Sequence, residues 1–135
     1  MEVEPHPPDC YSGVRACADA GVPIPPVAVA QGGDTQHGTS PFGESIWGGA
    51  FADESFALSH DEAGVLSMAN SGANTNRAQF FVLFAPQAHL DGKHVVFGKV
   101  VHGMEVLKHI EDAGSAKGPT SVPVVMTSCN VATNA

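Results

Sequence analysis

The apolar residues of this chain come in short runs, each closed by residues that turn the backbone. Val27-Ala28-Val29-Ala30 leads into Gln31-Gly32-Gly33-Asp34, a strand and then a tight turn. Gly64–Ala69 is a short strand bounded by the polar stretch Asn70–Asn76. Gln79-Phe80-Phe81-Val82-Leu83-Phe84 is the strongest strand signal, aromatic and β-branched throughout. An Asp-Gly turn within Leu90–Lys93 precedes a strand over His94–Val101, and Val122–Val131 reads as a last strand with Pro123 near its start. With 15 glycines and 10 prolines, the composition suits many turns rather than long helices. The expected fold is mainly β, a closed or nearly closed sheet.

One helix breaks the pattern. Met104, Leu107 and Ile110 recur on one face, Val106 lies beside them, and Gly114 stands at the stop position. The spacing predicts a helix over Met104–Ala113. Residues 1–27 differ from the rest, holding six of the ten prolines and two of the three cysteines. Within them Ser12–Ala20 has weak helical character, capped by Ser12 and ended by Gly21, but so short a helix is marginal alone. The expected organisation is a Pro-rich leader over 1–27, poorly ordered or weakly helical, and one domain over 28–135.

Charge and cysteine usage narrow the function classes. Six Lys and Arg stand against 14 Asp and Glu, a formal charge of −8. The cations are scattered, so no basic stripe exists to neutralise a phosphate backbone, and nucleic acid is not an expected partner. Cys10, Cys17 and Cys129 are too few for a disulfide framework and form no C-x-x-C pair. The N-terminus is acidic, and its most apolar early stretch, Val22–Ala30, is nine residues broken by three prolines. A membrane span needs ~20. The reading is a cytoplasmic protein with no membrane partner.

Most chemistry-bearing motifs fail. Gly43-Glu44-Ser45-Ile46-Trp47 approaches a nucleophile elbow, but Trp47 stands where glycine is needed. Seven histidines show no H-x-x-x-H, H-E-x-x-H or H-x-H spacing, so no metal ligand set is assigned. No glycine-rich phosphate loop occurs, and no cofactor is expected. What remains is Gln31, Asn70, Gln79 and His94 interleaved with apolar Val29, Phe81 and Leu90. Amides, an imidazole and an apolar floor suit a neutral peptide group. The alternative is that Asn70 and Gln79 only satisfy loop backbone, and spacing alone favours that alternative.

Four stretches carry a resemblance. Gln31–Asp34, Gly64–Asn70, Asn74–Phe81 and Leu90–Gly98 resemble, in order and spacing, the cyclophilin family of peptidyl-prolyl cis-trans isomerases (rotamases). The similarity covers Val29–Val131, 103 of the 135 residues. It implies a cyclophilin-like antiparallel β-barrel, here incomplete, because nothing in residues 1–27 resembles the family's first two strands or first helix. It also implies catalytic roles for Gln31, Gln79 and Asn70, with Val29, Ala69, Asn70, Phe81, His89, Leu90 and His94 binding substrate. Phe81 and Leu90 would floor the proline pocket. His89 stands where many members carry the tryptophan that helps hold cyclosporin, so weak or no cyclosporin binding is expected.

The family's catalytic arginine lies eight residues before its glutamine. Counting back from Gln31 gives Pro23, and no arginine is nearer than Arg15. The chain is therefore read as an isomerase of X-Pro bonds in peptides or proteins, active in protein folding as a chaperone-type enzyme, with attenuated turnover. The alternatives are a proline-peptide binding module without catalysis and an incomplete product without a stable barrel.

Overall fold

The computed structural model describes residues 15–17, 28–33, 43–115 and 120–131. Five strands form one antiparallel sheet: β1 (Arg15–Cys17), β2 (Val29–Gly32), β3 (Val65–Met68), β4 (Phe80–Leu83) and β5 (Val96–Lys99). Their order is β1-β2-β4-β3-β5, which leaves β1 and β5 as edges, and the sheet is not closed. The architecture is mainly β with one helix, α1 (Met104–Ala113), a partial version of the expected barrel.

The aromatic run lies where its signal is strongest, at the centre of the sheet. β4 pairs with β2 on one side and β3 on the other, so Gln31 and Ser67 both stand opposite Phe81. Val65, Phe81, Leu83 and Leu90 form a buried cluster, with Val29, Ala69 and Val96 packed against it. The other face of the sheet is less covered. Leu66, Met68, Phe80 and Val82 are only half-buried there.

Several expected boundaries shift for local reasons. β2 continues through Gln31 and Gly32, and the chain turns at Gly33, whose φ is +88°. A Cβ at Gly33 would run into the Ala78 carbonyl and the Phe80 ring, so only glycine fits this approach. β5 begins at Val96 rather than His94, because the His94 N–H bonds back to the Leu90 carbonyl and closes the turn. A single 3₁₀ turn over Ala88–Leu90 precedes that turn and directs Leu90 inward. α1 matches its expected range, burying Leu107 and half-burying Ile110, while Met104 stays 42% exposed. Gly114 ends the helix in extended rather than left-handed backbone, its N–H bonding the Glu111 carbonyl.

Two expectations are corrected. Arg15–Cys17, inside the weak helical patch, is a strand pairing Cys17 with Val29 and Arg15 with Gln31. The ladder on β2 satisfies backbone groups that a helix of eight or nine residues satisfies poorly. The rest of the patch and most of the leader lie outside the described residues. Val122–Val131 is not a strand. Val122, Val125, Met126 and Val131 are exposed, so burial does not reward alternation there, and Pro123 lacks an amide donor. No helix among the described residues is long and apolar enough to cross a membrane.

Candidate functional site

A cavity of about 310 Å³ opens on the face of the sheet that carries Phe81. β2 contributes Val29 and Gln31, β4 contributes Phe81, and the segment before β4 contributes Gln79. Ala69 and Asn70 line it just after β3, while His89, Leu90 and His94 come from the turn region before β5. All nine residues singled out from the sequence thus border one cavity. Arg77, Thr75, Ser71 and Gln87 also line it, and the sequence reading missed them. Arg77 was legible in principle, since it continues the two-residue alternation of Gln79 and Phe81.

The floor is apolar and rigid. Phe81 and Leu90 are each under a tenth exposed. The His94 ring meets Phe81 edge-on at 5.4 Å between centroids, and its Nδ1 lies 3.0 Å from the Met68 carbonyl. The rim is built of amides: Gln31 Nε2 donates to Gln79 Oε1 at 2.9 Å, which holds the two glutamines together. Asn70 differs. Its side chain donates to the Lys93 carbonyl and accepts the Gly72 N–H, so that amide shapes the loop. His89 is exposed at the cavity edge.

A second layer supports Phe81. His60 is fully buried and stacks on the Phe81 ring at 6.1 Å and 21°. The Asp91 Oδ1 atom accepts both the His60 backbone N–H and the ring Nδ1–H, each at 2.8 Å. Across the ring, His60 Nε2 lies 2.9 Å from Ser67 Oγ, which is itself 3.1 Å from the Val95 carbonyl. These hydrogen bonds from His60 hold the Asp91 carboxyl below its ordinary pKa. A serine, a histidine and an aspartate in a row suggest acyl transfer, but a nucleophile must reach a carbonyl. Ser67 is fully buried opposite Phe81 on the neighbouring strand, so the trio fixes the floor instead. Nothing in the local sequence marks it, because Ser67 and Asp91 lie seven and 31 residues from His60.

The cavity offers an apolar pocket for a ring and hydrogen-bonding amides beside it. Among the described residues no carboxylate lines it, and no cluster of three metal-binding side chains occurs. Such a lining suits a neutral, partly apolar ligand. Residues 24–131 match the family model described as cyclophilin type peptidyl-prolyl cis-trans isomerase/CLD.

Proposed function

Because the chain belongs to the cyclophilin-type peptidyl-prolyl cis-trans isomerase family, we propose that it binds X-Pro segments in this cavity and speeds their cis-trans exchange. The observation that carries the reading is the convergence of Phe81, Leu90 and Val29 as an apolar floor beside the paired amides of Gln31 and Gln79. Exchange at an X-Pro bond breaks no covalent bond. Its barrier of ~18–20 kcal/mol is amide resonance, so neither nucleophile nor metal is required. The floor holds the proline ring, and the amides hold the flanking backbone. As the amide twists, its nitrogen becomes a better acceptor and a nearby cation stabilises it.

Pro23 occupies the position eight residues before Gln31, where the family carries its arginine. With no arginine at that position the chain lacks one preorganised donor, a loss that costs on the order of 10²–10³ in rate. We therefore assign turnover below that of a complete family member.

The second reading, binding without turnover, is favoured by the proline at position 23. Exchange spectroscopy on an Ala-Pro peptide separates the two. Acceleration by the wild type is expected, and Gln31→Ala should lower it about two- to tenfold, the scale of one hydrogen bond of ~0.5–1.5 kcal/mol. Binding with no acceleration in the wild type would leave a binding module. Equal acceleration in both proteins would remove Gln31 from the mechanism.

A further inference from the structure

The chain carries 14 carboxylate side chains, yet among the described residues none lines the cavity, whereas Arg77 does. Arg77 is half-buried and makes no ion pair among the described residues. The nearby Asp53 is engaged elsewhere: its carboxylate accepts the Asn74 N–H at 2.8 Å and the Asn76 side-chain amide at 2.7 Å. Those bonds, with the Phe51 N–H on the Asn76 carbonyl, anchor the residue immediately before Arg77. The cation is thus delivered from a braced backbone.

Arg77, Gln79 and Phe81 alternate along the chain and line the same wall, while Ala78 and Phe80 do not. Arg77 and Phe81 line one cavity from positions four residues apart, so a peptide with its proline over Phe81 brings a residue a few positions from the proline towards the guanidinium. We infer that Arg77 is a specificity-determining residue that selects X-Pro peptides bearing an anionic side chain, carboxylate or phosphoryl, at that distance from the proline. Arginine presents a fork of donors that matches either group. This inference deepens the proposed function and rests on it.

The test is fluorescence anisotropy with labelled ten-residue peptides containing one central Ala-Pro. The third residue before, or after, the proline is Ala, Glu, phosphoserine or Lys. The protein should bind Glu or phosphoserine peptides about three- to tenfold tighter than Ala peptides on one side of the proline, and Lys peptides more weakly. A gain shared by both anions assigns the carboxylate as sufficient; a gain confined to phosphoserine assigns a phosphorylated ligand. Arg77→Gln should erase the discrimination and Arg77→Glu should reverse it. Equal affinity for Glu, phosphoserine and Ala peptides, or discrimination that survives Arg77→Gln, overturns the inference. Peptides with the proline replaced by alanine isolate the underlying reading. If they bind as well as their parents, the proline site itself fails; if binding needs proline but ignores charge, only the role of Arg77 fails.

Discussion

Phe81 is held in its orientation by its neighbours on three sides. Gln31 and Ser67 stand opposite it on the two neighbouring strands, His60 stacks on its ring, and Asp91 fixes His60 from the surface. This gives Asp91 a pH signature. Its pKa is lowered in the fold by hydrogen bonds from the His60 ring and then from the His60 backbone. A carboxylate with a depressed folded pKa contributes stability above its unfolded pKa, and that contribution disappears as pH falls through the folded value. Comparing wild type with Asp91→Asn removes the background of other titrating carboxylates. The melting temperature of the wild type should exceed that of the variant at pH 6, and the gap should shrink as pH falls below about 4. A gap that is constant from pH 6 to pH 3 would show that the carboxylate charge does not brace the floor.

At the scale of elements, what burial and turn chemistry dictate locally was legible, and what depends on distant pairing was not. β4 and α1 announce themselves because aromatic alternation and three-residue spacing survive in the fold. The nine groove residues were legible through the motifs that resemble a family, since amide and apolar spacing alone favoured a purely structural role. β1 was not legible: a three-residue strand has no periodicity of its own and exists through its ladder on β2. The Val122–Val131 segment misled in the opposite direction, having strand composition but exposed apolar side chains. The pairing makes β1 a cover for the edge of β2. Removing residues 1–27 should expose that edge and raise self-association, because unpaired strand edges template further pairing. Sedimentation velocity measures it, and a truncated protein that remains a monomer as stable as the full chain would contradict the role given to β1.

The whole molecule joins a net negative charge, an open sheet and a cavity that no carboxylate among the described residues lines. One face of the sheet concentrates its burial under the groove around Val65, Phe81, Leu83 and Leu90, so the site is also the best-packed part of the fold. The other face is only half-covered, and stability is expected to depend heavily on the groove side. Replacing Phe81 with alanine therefore acts on both binding and folding, with ~3–5 kcal/mol at stake for a buried ring. Working well below the variant's melting temperature separates the two effects. The measurement that most directly tests the central claim is the cis-trans exchange rate of an Ala-Pro peptide, with saturating wild-type protein and with folded Phe81→Ala. Uncatalysed exchange takes ~10–100 s. The account predicts clear acceleration by the wild type and none by folded Phe81→Ala; equal acceleration by the two proteins would contradict the assignment of this groove as the isomerase site.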